Sequence, residues 1–528
     1  MTSSPGGLDR RIFLRSSAVA ALAIFGGGAL AACTSAVSQQ RGGDDNAQPV
    51  RGGTLKYGVL VDIVPANLLT NTGTTPYVIG LVFESLVRYP HDKLEPQPLL
   101  AKSWTVTPDG KSITLNLRDD VKFHSGRPFT SKDVEFSYRT YADPKWSGQL
   151  KSTAAKVTAF DTSDPHKITL TLEHPLSNLF DLLDTVPILD SESIDQLATG
   201  DKFVGTGPFR FTQRIPNQQL VFEKNPAYWI PDRPYLDRVE FRVISDNQAQ
   251  LNALKTGQID LADGITYRDT ETLAKTDGYR VITFDGAELQ VYVGANVTDP
   301  TLADVRVRQA IAYALDRERI VKEVFRGAGY PLNLPWPKGS PAFDQARNTR
   351  YTRDAAKAKQ ILAQLPKPAK LPLAYNTAYA TYEAIAQIVQ ANLAEIGIEV
   401  ELVPTENATF LKQLIGAQFP GLWITDHSWA QFVPSTLTVS AYPFNARKNA
   451  SHYESADYVK AADSAWQLPQ ATGADATRAY QALSDQLLDS LFLIEIGVHD
   501  WQNSATKKLH GFNWTKRREL QLTEAFLA

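Results

Sequence analysis

The residues best suited to hold a small molecule fall in one run, GLWITDHSWAQFVPSTLTVSAYPF at 421–444. Trp423, Trp429, Phe432 and Tyr442 offer flat apolar area, while Asp426, His427 and Gln431 are the few polar groups that could orient a ligand against it. The same rings could equally fill a core, because an aromatic side chain buries well in either place. Bond-breaking machinery is not visible. No Gly-x-Ser-x-Gly elbow, Walker A loop or His-Glu-x-x-His occurs. The eight histidines, at 91, 124, 166, 174, 427, 452, 499 and 510, lack close metal-ligand spacing. Cys33 is the only cysteine, which excludes an intrachain disulfide or a cysteine-based metal cluster. The expectation is therefore a binding site with no catalytic residue, metal or cofactor.

The elements that must position such a site alternate between strand and helix. Thr54 to Val61 reads as a strand and Pro76 to Leu86 as a helix packed on it. From 238 onward a strand to Ile244 precedes a helix that Asp246 can cap and Gly257 can end, with Leu251 and Leu254 as its apolar stripe, before a strand Ile259 to Ala262. The same order recurs where Ile385, Ile388, Val389, Leu393 and Ile396 give a helix, Gly397 stops it, and Ile398, Val400 and Leu402 alternate as a strand. Two distant units of this kind predict two α/β lobes. Between them Asp304 can cap a helix buried through Ala310, Ile311, Ala314 and Leu315. Arg306, Arg308, Arg317 and Arg319 alternate with acidic residues and are read as a solvated, salt-bridged surface. Gly205-Thr206-Gly207-Pro208-Phe209 lacks the third glycine of a dinucleotide fingerprint and reads as a tight turn into a strand.

At 101–138 the chain reads AKSWTVTPDGKSITLNLRDDVKFHSGRPFTSKDVEFSY. Trp104 and Val106 face Ile113, Leu115 and Leu117 across Pro108-Asp109-Gly110, where Asp-Gly supplies a hairpin turn, and Thr130 can cap a helix from Ser131 through Val134, Phe136 and Tyr138. His124 is assigned a turn-stabilising role. The order Ala-x-Ser-Trp, Asp-Gly-Lys, Leu-Arg, Val-Lys-Phe-His-x-Gly, Pro-Phe-Thr-x-x-Asp-Val resembles the peptide/nickel class (family 5) of extracytoplasmic solute-binding proteins of ABC importers. Asp-x-Arg-Val-Arg-x-Ala at 304–310 resembles the opening of that family's second lobe. The resemblance implies an α/β, bilobal periplasmic-binding-protein fold (class II-like) with an extra α+β domain inserted in the first lobe. Its first lobe would take 52–84, 206–290 and 505–528, the insert 85–205 and the second lobe 291–504, with crossings near Tyr292 to Asn296 and near Trp501. It also implies a pocket in the 421–444 region. Peptide-binding relatives place an acidic residue there in an Ala-Asp-Tyr-like run before Asp-Pro. This chain has Ala430-Gln431-Phe432-Val433-Pro434, which leaves Gln431 without a full charge and Asp426 as the nearby carboxylate.

The amino terminus reads as an address. Arg10-Arg11 before Phe13-Leu14 resembles a twin-arginine export signal, and Leu30-Ala31-Ala32-Cys33 resembles a lipobox, so 1–33 is expected to be a signal peptide and Cys33 the lipidated residue. The apolar run from Ser16 to Ala32 is short of the ~20 residues of a spanning helix. Residues 34–51, rich in Ser, Gln, Gly and Asp, are read as a flexible tether. With 54 basic and 57 acidic residues the formal charge is −3, which gives no reason to expect nucleic acid as a partner. The expected partners are a peptide-like solute, an ABC permease and the membrane through the lipid anchor, for a monomer on the outer face of the cytoplasmic membrane or in the periplasm. A chemosensory receptor without transport and a secreted hydrolase are the alternatives.

Overall fold

A computed structural model describes residues 47–70, 73–146 and 148–528. The export and lipidation residues Arg10, Arg11 and Cys33 lie outside the described residues. Three main sheets organise the remainder. The first has seven strands in the order Tyr279–Thr283, Gln502–Thr506, Leu261–Ala262, Thr54–Val59, Arg238–Val243, Gln219–Lys224, Phe209–Ile215. Its central strand Thr54–Val59 runs parallel to both neighbours and buries Leu55, Tyr57 and Val59 completely. The second sheet runs Gly329–Pro331, Leu493–His499, Leu289–Ala295, Leu422–His427, Leu371–Asn376, Val400–Thr405. Every residue of Leu289–Ala295 and of Leu493–His499 is buried, as expected for strands covered on both faces.

The third sheet joins Ala101–Val106, Ser112–Leu117, Lys167–Leu172 and Val157–Asp164, all antiparallel. Trp104 stands opposite Leu115 and Val106 opposite Ile113, while Gly110 takes the left-handed turn at φ +68°. Helix Ser131–Ala142 follows, and the Asp133 carboxylate accepts the Thr130 N–H at 2.8 Å, so the cap acts in both directions. His124 stabilises a turn, but a distant one. Its Nε2 lies 2.9 Å from Gly207 O, and its ring is buried, which pushes its pKa down to about 4 against that hydrogen bond. Gly205 and Gly207 serve close approach more than turn geometry: a Cβ would stand 2.1 Å from Val82 O at the first and 2.6 Å from Leu81 O at the second.

Two expectations are corrected. The sheets exchange chain at 284–288 and 500–501, so the crossing placed near Tyr292 to Asn296 falls instead just before a strand that occupies the middle of the second sheet. The four arginines also divide. Arg306 and Arg319 are exposed and paired with Asp304 and Glu323 at 2.7 and 2.9 Å. Arg308 and Arg317 are buried and donate to backbone carbonyls, Arg317 to Glu495, Ala312 and Tyr351 at 2.8, 2.9 and 3.0 Å. Arg308 shares a helix face with Ile311 and Ala312, so its position in the helical turn outweighs its charge.

Candidate functional site

Between the two larger sheets lies a cavity of about 560 Å³, with a second of about 180 Å³ beside it. Leu60, Asp263, Tyr379, Tyr382, Asp426 and Trp501 line both. Their positions follow from strand polarity. Leu60 and Asp263 follow the carboxyl ends of Thr54–Val59 and Leu261–Ala262, Asp426 and His499 close Leu422–His427 and Leu493–His499, and Tyr379 and Tyr382 sit at the start of helix Ala380–Glu395. Ligands of open α/β sheets lie beyond such strand ends.

The two carboxylates that line both cavities, Asp263 and Asp426, are in different states. Asp263 accepts the Leu60 N–H at 3.2 Å. Burial pushes its pKa up to about 7, against hydrogen bonding from Gln250 and Leu60 and the charge of Arg518. Burial would raise Asp426 too, but His499, Arg518 and the Tyr382 hydroxyl outweigh it and hold that carboxyl below its ordinary range. His499 Nε2 is 3.7 Å from Asp426 Oδ2. Its other nitrogen lies 2.6 Å from the Tyr267 hydroxyl, which donates to Asp500 O at 2.7 Å, so Nδ1–H donates to Tyr267 and Nε2 is turned toward Asp426. The His499 ring also stacks on Phe325, with centroids 5.0 Å apart. The arrangement can hold an ionised acceptor on one wall and a carboxyl poised near neutrality on the other.

Of the seven residues singled out at 421–444, four reach the cavities. Asp426 lines both, and His427, Trp429 and Tyr442 line the smaller. His427 is buried, with Nε2 3.4 Å from Glu495 Oε1. The other three do not line either cavity. Trp423 is fully buried and stacked on Phe419 at 4.8 Å, Phe432 is fully buried with its ring 6.0 Å from Tyr89, and Gln431 turns its amide to Ser428 O at 3.0 Å. Short Trp429–Gln431 is a single 3-10 turn, with Trp429 at the cavity and Gln431 and the following Phe432 turned away from it. Asp263, Tyr267, Tyr379, Tyr382, His499, Trp501 and Arg518 were not singled out. Strand-end position is the sequence signal for Asp263 and His499; the sequence marks Trp501 only as a crossing.

Two α/β lobes meeting at their strand ends around an aromatic, charged cavity define a cleft-type binding protein. The chain belongs to the bacterial extracellular solute-binding proteins, family 5, whose middle-region model matches residues 95–450. It is 28% identical over 430 residues to the oligopeptide-binding protein AppA of Bacillus subtilis, covering 75% of this chain and 77% of that protein. It is 30% identical over 374 residues to a putative ABC transporter peptide-binding protein of Brucella ovis, covering 66% and 68%. Among solved structures, AgaA of A. tumefaciens R10 in complex with agropinic acid superposes with a TM-score of 0.80 at 25% identity, over 90% of this chain and 99% of that one. AppA of Bacillus subtilis in complex with a nonapeptide gives 0.81 at 24%, over 91% and 100%. NikZ of Campylobacter jejuni with Ni(L-His) gives 0.77 at 22%, over 88% and 97%. The fold is the bilobal periplasmic-binding-protein architecture.

Proposed function

We propose that the protein is an extracytoplasmic receptor that closes on a peptide or peptide-like solute and delivers it to an ABC permease without chemical change. The observation that carries this reading is the shared wall of the two cavities, where Leu60 and Asp263 of one lobe face Tyr379, Tyr382 and Asp426 of the other. A solute touching both sides favours the closed arrangement by its difference in affinity for the two states. Relatives named as peptide-binding support the solute class, and the agropinic acid complex keeps opine-like acids within it. Asp426, His427, Trp429 and Tyr442 are the proposed contacts from the second lobe, with Gln431, Phe432 and Trp423 as their buried support. Native mass spectrometry of the purified protein, with identification of the solute released on denaturation, tests the class. A nucleotide or a lipid in place of a peptide-like solute would overturn it.

The twin-arginine and lipobox patterns support export and anchoring through Cys33. One acyl chain binds a membrane only marginally, so anchoring at Cys33 takes more than one. Cys33→Ser is expected to move the protein from the membrane to the soluble fraction. Membrane retention of the substituted protein with its amino terminus intact would refute the anchor.

A further inference from the structure

The carboxyl-terminal hairpin, whose strands are Asn513–Trp514 and Leu520–Gln521, carries three consecutive cations at its tip. Two are held by the protein. Lys516 Nζ donates to His91 O at 3.0 Å, and the Arg517 guanidinium pairs with Glu519 and Asp184. The third, Arg518, is not. It lines the smaller cavity, its Nε is buried without a hydrogen-bond partner, and its guanidinium forms no salt bridge among the described residues. Its guanidinium carbon lies 5.5 Å from the centroid of the Trp501 ring.

The backbone is built to aim this side chain. Arg518 sits at φ +63°, the left-handed region that a side-chain-bearing residue enters at a cost, fixed there by its N–H to Thr515 O at 2.8 Å and by Thr515 N–H to Glu519 O at 3.0 Å. A guanidinium offers a planar fork of donors that matches a carboxylate, and it stays charged at every physiological pH. Left without a partner in a partly dry cleft, such a fork is costly unless a ligand completes it. Asp263 and Asp426 line the same cavity and feel the positive field of Arg518, but neither forms an ion pair with it. The cleft therefore presents a cation fork from the first lobe and an ionised carboxylate from the second.

We infer that Arg518 is a specificity-determining residue that takes a carboxylate of the solute, so the protein selects ligands carrying a free acid group over their neutral amides. This rests on the reading that the cleft is the solute site. The probes are one mixture of tripeptides with free carboxyl termini and the same tripeptides as carboxyl-terminal amides, titrated against the wild type, Arg518→Gln and Arg518→Lys. The wild type is expected to bind the acids at least about tenfold more tightly than the amides, the worth of one charge-assisted hydrogen bond. Arg518→Gln should abolish that ratio, Arg518→Lys should keep part of it, and the ligand-free melting temperature should stay within the spread of replicate measurements. Equal binding of acids and amides by the wild type overturns the inference while leaving the peptide reading standing. So does a ratio that survives in Arg518→Gln. If neither mixture binds the wild type, the peptide reading fails, and the solute released from the purified protein decides. A solute with no acid group overturns the inference. An acid solute that Arg518→Gln no longer retains upholds it.

Discussion

Arg306 and Arg317 lie on consecutive helices and do opposite work. Arg306 pairs with its own cap Asp304 in solvent, where ion pairs contribute little. Arg317 is buried with three carbonyls from three segments on its guanidinium. Arg317→Ala is expected to leave those carbonyls dry and unpaired, lowering the unfolding free energy by ~3 kcal/mol or more in urea titration. Arg306→Ala should leave the midpoint unchanged. Equal midpoints for the two variants would show that water replaces the lost donors at Arg317. The distinction was half legible in the sequence. Alternating charges point to a solvated face, and Arg306 and Arg319 obey, but phase along the helix places Arg308 beside Ile311, and no local pattern announces that 312, 351 and 495 converge on Arg317. Asp426 was legible as the one acidic residue of an aromatic run. Its partner His499 was not, because the two are brought together only across the intervening strand Leu289–Ala295 of one sheet.

At the scale of elements, the turn Trp429–Gln431, helix Pro434–Ser440 and the end of helix Ala456–Trp466 take part in the contact between the second lobe and the third-sheet region. Helix Leu179–Thr185 presents Asp181 to them: Oδ2 accepts from Val433 N at 3.1 Å and Thr436 Oγ1 at 2.6 Å, and Oδ1 from the Tyr89 hydroxyl at 3.0 Å. Burial pushes the Asp181 pKa up to about 7, against those hydrogen bonds. The folded state therefore holds a proton that the unfolded chain has released, and this group's contribution to stability falls as pH rises from the ordinary carboxyl range of about 4 to about 7. Asp181→Asn mimics the protonated form and should flatten the dependence of melting temperature on pH across that window, with the gain over wild type largest at the alkaline end. An unchanged profile would mean that Asp181 is ionised throughout. On the other side of the same turn, Trp429 is 7% exposed and lines the smaller cavity. Trp429→Ala is expected to weaken binding of the retained solute by on the order of 2 kcal/mol. A large drop in ligand-free melting temperature with affinity intact would instead make the ring a core residue. The hairpin, the caps at Asp246 and Asp304 and the stop at Gly397 were readable because each is set by residues within a few positions. Trp423 and Phe432 were misplaced because composition alone does not say which side of a strand or turn faces a cavity.

For the whole molecule, two lobes were legible from repeated helix and strand order, but the way they are tied was not. Two covalent crossings, at 284–288 and 500–501, join the large sheets. A third tie is noncovalent. Asn178 donates to Thr436 Oγ1 at 3.0 Å and accepts from Trp466 Nε1 at 2.8 Å, and Ser177 Oγ lies 2.8 Å from Ser435 Oγ. These pairs are more than 250 residues apart in sequence, so no periodicity or motif could place them. Their consequence is mechanical: rotation about the crossings must either carry helix Leu179–Thr185 along with the second lobe or break this cluster. Thr436 is the shared member, since its hydroxyl meets both Asp181 and Asn178. Thr436→Val keeps the side chain's shape and removes both bonds. If the cluster holds the lobes together, the ligand-free variant should scatter with a larger radius of gyration than wild type, and saturating solute should return both proteins to one compact value. Apparent affinity should fall in proportion to the lost closed population, because a ligand that binds a minority state has its affinity reduced by that fraction. A ligand-free radius identical to wild type, with affinity unchanged, would place the cluster within one rigid body and leave the two crossings as the whole hinge.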